Sequence, residues 1–124
     1  MTRGPDSEQA IAWATELAVL RGDVYLFRKN RDRPCDFLLV NDREILFVAV
    51  RRTRNLYRSM ETHAAGYEET IGRLRMVRNP AAGRQLWLFS RRGKYRMFRV
   101  SPEGMEEITA AKEDSPGRPA AGVP

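Results

Sequence analysis

The chain has 124 residues, 42% of them apolar, which suits one compact domain with a real core. Lys and Arg number 22 against 16 Asp and Glu, a formal charge of +6 that favours polyanionic partners, nucleic acid above all. Cys35 and His63 are the single cysteine and histidine, which excludes an intrachain disulfide and a Cys/His zinc site.

Lysine occurs at Lys29, Lys94 and Lys112 alone, so nearly all the basic charge is arginine. That fits either GC-rich coding sequence or a need for phosphate-binding forks. Cys35 reads as a small core residue rather than a nucleophile. No apolar leader and no stretch of membrane-spanning length is present, so a cytoplasmic protein is expected.

After a short arm at residues 1–5, Asp6 reads as an N-cap, with Gln9 three residues on as in a capping box. Ala10, Trp13, Ala14, Leu17 and Leu20 recur at helical spacing, and Gly22 stands where a C′ glycine belongs. A first helix is expected over about residues 7–21. Val24 to Arg28 alternates as a strand, and Asn30 to Pro34 is a highly charged loop. Asp36–Val40 and Ile45–Arg51 form a hairpin around Asn41-Asp42-Arg43-Glu44. Both arms are apolar on both faces, as in a sheet covered on both sides.

Asn55 to Arg78 reads as one long helix with the stripe Met60, Ala64, Tyr67, Ile71 and Leu74. Gly66 and Gly72 weaken it, which suggests close packing there on the sheet. Asn79-Pro80 ends it. Gln85–Ser90 and Tyr95–Val100 are strands joined by the turn Arg91-Arg92-Gly93-Lys94, and Ser101-Pro102-Glu103 opens a short helix. From Lys112 the composition is that of a disordered tail. Residues 1–111 are therefore expected to be one α/β domain and 112–124 a tail.

With Asp42-Arg43 as the turn, Val40 faces Ile45, Leu38 faces Phe47, and Asp36 faces Ala49. Arg51, two residues beyond Ala49, shares that face. Asp36, Ala49 and Arg51 would then cluster at one end of the hairpin.

The order helix–strand–strand–strand–helix–strand, with an acid opening the second strand, resembles the PD-(D/E)XK nuclease superfamily, and in size its archaeal Holliday-junction-resolvase-like branch. The resemblance covers about residues 7–90. It implies a restriction-endonuclease-like core: helix, three strands, helix, two strands, in a mixed five-stranded sheet with helices on both faces. In that family two acids hold a divalent metal and a lysine helps to activate water. By position, Cys35-Asp36 stands for Pro-Asp, and Ala49-Val50-Arg51 stands for Glu-X-Lys. The second acid is missing, and the lysine is an arginine, which keeps its proton. An acid on the first helix often joins such sites, and Glu8 occupies that position. Asp36 and Glu8 are thus weak candidates for holding Mg²⁺, and no cofactor is expected unless the chain is active. The plainer reading makes Asp36 a solvated strand-start residue paired with Arg51 or Arg52. Glu61, Glu68 and Glu69 could supply a displaced acid but lie off the apolar stripe, as exposed charges do.

The basic residues form three groups: Arg28, Lys29, Arg31 and Arg33; Arg51, Arg52, Arg54 and Arg58; and Arg91, Arg92 and Lys94. The first two are expected beside Asp36, where the resembling nucleases hold DNA, with Tyr57 as a stacking surface. Arg73 and Arg75 are expected at the far end of the long helix. The leading functional expectation is a catalytically degraded, nucleic-acid-binding nuclease-like domain, with DNA the favoured partner. The alternatives are an active Mg-dependent endonuclease with a displaced acid, and a protein–protein adaptor or homodimer. The adaptor reading gains if Tyr95 and Met97 leave an exposed apolar face.

Overall fold

A computed structural model describes residues 3–28 and 33–108. The expected tail at 112–124 lies outside them, as do Lys29 and Arg31. The elements are α1 (Arg3–Ala18), β1 (Asp23–Leu26), β2 (Phe37–Val40), β3 (Ile45–Arg52), α2 (Met60–Gly66), α3 (Glu68–Arg75), β4 (Ala82–Phe89), β5 (Tyr95–Val100) and β6 (Met105–Ile108). The six strands form one mixed sheet in sequence order. Every neighbouring pair is antiparallel except β3 and β4, which run parallel because α2 and α3 cross over between them.

Alternation along the strands divides the core in two. Phe37, Leu39, Leu46, Val48, Val50, Trp87 and Phe89 pack under α1. The helix meets them through Ala10, Ala14 and Ala18, all fully buried, and small side chains at four-residue spacing let its backbone approach the sheet. On the other face Ala49, Leu86, Leu88, Phe98 and Val100 pack with Leu56, Ile71 and Leu74. The stripe read from the sequence is the buried side of α2 and α3, since Met60, Ala64 and Tyr67 pack against this cluster too.

Several expectations are corrected. The sheet has six strands instead of five. Ser101 opens a turn and no helix: its N–H donates to Gly104 O at 2.9 Å and its hydroxyl accepts from Gly104 N at 3.0 Å, which sends the chain back as β6. The long helix is two. Residues 53–59 form a loop, Ser59 caps α2 by accepting from Thr62 N at 3.1 Å, and Tyr67 leaves helical geometry at φ −117° and ψ 31°. Gly66 and Gly72 mark no close packing, because a Cβ on either would meet nothing within 4 Å. Helix α1 starts before Asp6, which lies inside it and is no N-cap, and it ends at Ala18, leaving Leu20 82% exposed. Gly22 is required for another reason: a Cβ there would fall 2.4 Å from Val40 O.

The register of the central hairpin agrees with the sequence reading, with Val40 opposite Ile45 and Leu38 opposite Phe47. The regular ladder begins at Phe37 and Val48. Asp36 lies just before it, its N–H donating to Val48 O at 2.9 Å. Met97 is buried beneath α1 and Tyr95 packs beside it, so the last alternating strand leaves no exposed apolar face.

Candidate functional site

The parallel pair β3 and β4 ends at Arg52 and Phe89, and Thr53 N donates to Phe89 O at 2.9 Å, holding the two strand ends side by side. Crevices outside the carboxyl ends of parallel strands are the usual ligand position in α/β sheets. A groove of about 1300 Å³ opens there.

Three segments wall it. The first is the end of β3 with the following loop, which brings Arg51, Arg52, Arg54 and Tyr57. The second is the junction of α2 and α3, with Tyr67, Glu69, Thr70 and Arg73. The Tyr67 hydroxyl donates to Arg52 O at 3.1 Å, so the helix break is tied to the strand end. The third is the β4–β5 turn, with Ser90, Arg91, Arg92 and Lys94. Ser90 Oγ accepts from Arg92 N and Lys94 N, each at 3.2 Å, and Gly93 supplies the positive φ of 85° that this turn needs. The backbone that carries three cations is therefore held in a defined turn.

Asp36 closes one end of the groove. It is 1% exposed, and both of its oxygens are used. Oδ1 accepts from Arg33 Nη2; Oδ2 accepts from Val50 N at 2.6 Å and from Arg51 Nη1 at 3.0 Å. Asp36 is therefore buried rather than solvated; its expected pairing with Arg51 is present, and Arg33 is a further partner. Burial of the carboxylate is compensated by two guanidiniums and a backbone donor, as a buried charge requires.

The donor set does not fit a divalent metal. Mg²⁺ needs oxygen ligands in near-octahedral array. Here the Asp36 oxygens already face cations, and Ala49, fully buried, presents a methyl group. Glu8 is exposed on α1 and is not part of the groove wall. Of the three acids on α2 and α3, Glu69 alone enters the lining, with Arg73 Nη2 at 3.4 Å from its carboxylate. Among the described residues no three His, Cys, Asp or Glu side chains gather as a metal-binding group.

Cys35 is buried beside this carboxylate, and its thiol pKa is pushed up to about 12, chiefly by burial and then by the negative charge of Asp36. A thiol held protonated in this way is a core residue and no nucleophile. His63 is also buried, with Nε2 3.0 Å from Leu56 O, and serves the loop after β3.

Of the residues proposed from sequence for nucleic-acid contact, Arg33, Arg51, Arg52, Arg54 and Tyr57 come together in the groove. Arg28 and Arg58 are exposed outside its lining. Arg73, Arg91, Arg92 and Lys94 join it, and sequence reasoning had not placed them there. Arg75 does lie elsewhere, donating to Ser101 O at 2.9 Å and Gly104 O at 3.2 Å. The groove therefore carries eight basic side chains against Asp36 and Glu69.

No protein-family model, curated protein or solved structure matches the chain. Among the described residues no helix is long and apolar enough to cross a membrane.

Proposed function

We propose that the groove binds the phosphate backbone of nucleic acid, DNA in the first instance, and that the domain is a nuclease-like fold without metal-dependent cleavage. The observation that carries this reading is the concentration of eight cations and two tyrosines at the carboxyl ends of β3 and β4. Arginine forks pair with phosphate oxygens in bidentate fashion, and each neutralised phosphate releases condensed counterions. The helix, three antiparallel strands and helical crossover to a parallel strand support kinship with the PD-(D/E)XK nucleases. The clamp on Asp36 supports the loss of their chemistry: Arg33 and Arg51 occupy the carboxylate, and position 49 offers no second acid.

The test is a titration of a labelled oligonucleotide at several salt concentrations. With about five phosphates neutralised on a single strand, affinity should fall about a hundredfold between 50 and 200 mM salt. Undetectable binding at 50 mM salt contradicts the reading.

A second reading rests on a separate observation. Val19, Leu20, Tyr25 and Leu26, all more than half exposed, lie in the edge strand β1 or in the turn that leads into it. An open apolar edge is a template for pairing with another chain, which supports the homodimer alternative. Sedimentation at increasing protein concentration tests it, and a monomer at every concentration excludes it.

A further inference from the structure

In a groove lined mainly by charged and polar side chains, where the other tyrosine, Tyr67, has its hydroxyl engaged by Arg52 O, Tyr57 is 73% exposed. Its backbone is fixed on both sides. Leu56, 3% exposed, anchors the loop in the core, and its carbonyl accepts from Arg96 Nη1 at 2.8 Å. The same guanidinium nitrogen donates to Arg58 O at 2.7 Å. Arg96 is itself held by both oxygens of Glu107, at 2.9 and 2.7 Å, and lies 5.1 Å over the Phe98 ring. His63 Nε2, buried in the core, also lies 3.0 Å from the Leu56 carbonyl. The residue between two pinned carbonyls is thus presented outward on a rigid turn, and no described aromatic ring pairs with it.

We infer that the ligand of the groove is single-stranded nucleic acid, with one unpaired base stacked on Tyr57 and Arg96 as the residue that positions this platform. The inference rests on the nucleic-acid reading of the groove and adds the strandedness of the ligand. A duplex keeps its base faces inside its own stack and offers the groove only phosphate, for which the arginines suffice. A single strand offers a base face as well, and base–aromatic stacking is largely indifferent to sequence. The groove volume exceeds the range of small-molecule pockets, as a site for several linked nucleotides requires. Arg54 lines the groove three residues before the ring and provides for the adjoining phosphate.

The experiment compares a labelled oligothymidylate of about 15 nucleotides with a duplex of the same length, by fluorescence anisotropy, on the full chain. Tyr57→Ala should weaken the single strand about tenfold and the duplex less than about twofold, and Tyr57→Phe should retain wild-type binding of both. Glu107→Gln, which loosens Arg96 from outside the groove, should weaken the single strand in the wild-type background and have no further effect when Tyr57 is already Ala. Thermal midpoints establish that each variant is folded, and an exposed side chain such as Tyr57 can be truncated without loss of the core. Equal effects of Tyr57→Ala on both ligands, or none on either, overturn the inference while salt-dependent binding by the wild type leaves the nucleic-acid reading intact. A wild-type protein that binds neither ligand removes both.

Discussion

Arg51 Nη1 lies 3.0 Å from Asp36 Oδ2, across the hairpin that joins β2 to β3. Arg33 holds the other oxygen. The carboxylate is the counter-ion of two arginines and is only 1% exposed. The pair forms a structural joint between the strand start and the groove.

Removing one partner of such a joint is expected to be costly. Asp36→Ala removes the acceptor of Val50 N and the counter-charge of two guanidiniums, which retain only Phe27 O and Val50 O, and should destabilise the fold by about 3 kcal/mol. The thermal midpoint should fall by more than ~10 °C. Asp36→Asn keeps an acceptor for Val50 N and should lose less. A loss below about 1 kcal/mol for the alanine variant, measured by denaturant unfolding, would show that the clamp is not structural.

The Cys35 thiol gives a pH signature. Its pKa is raised from 9.0 to about 12 in the folded protein. Below pH 9 the thiol is protonated in both states and its contribution to stability is fully present. Between pH 9 and 12 the unfolded chain ionises first and binds fewer protons, so this contribution is lost as pH rises. Cys35→Ala should flatten that part of the stability profile. In the native protein a disulfide reagent at pH 8 should react at the rate of global or local opening, and fast stoichiometric reaction would contradict the burial.

Cleavage of DNA in Mg²⁺ or Mn²⁺ should be absent from the unmodified protein, because a metal clamp on a scissile phosphate needs convergent carboxylates. Ala49→Glu with Arg51→Lys would place the missing acid and lysine beside Asp36. It also buries a carboxylate next to Leu86, Leu88 and Phe98, at a cost of about 3 kcal/mol or more, read as a fall in thermal midpoint. Plasmid nicking by the purified wild type that disappears in Asp36→Asn would contradict the degraded-site account and point to Glu69 as the displaced ligand.

The parts of the structure legible in the sequence were those set by local periodicity. Alternation fixed the pairs Val40 with Ile45 and Leu38 with Phe47, and the four-three spacing found the buried side of α2 and α3. Three features escaped because they depend on contacts distant in sequence. The helix breaks at Tyr67, whose hydroxyl reaches Arg52 O, a partner 15 residues away. Residues 101–104 carry the Ser-Pro signature of a helix start, but pairing of Met105–Ile108 with β5 overrides it. Arg91, Arg92 and Lys94 look like an ordinary turn, and only the parallel pairing of β3 with β4 sets them beside Arg52. The burial of Asp36 was hidden for a related reason: its second partner, Arg33, belongs to a loop that carries no periodic pattern.

If the groove, rather than overall positive charge, binds nucleic acid, the loss of binding on charge reversal must depend on position. The most direct test is charge reversal at two pairs of arginines, with binding of a labelled oligonucleotide read at about 100 mM salt. Arg91→Glu with Arg92→Glu alters the groove, and Arg43→Glu with Arg75→Glu alters exposed arginines outside it. Binding by the groove gives a loss of at least about a hundredfold from the first pair and less than about threefold from the second. Equal losses from both pairs would mean a diffuse basic surface and contradict it.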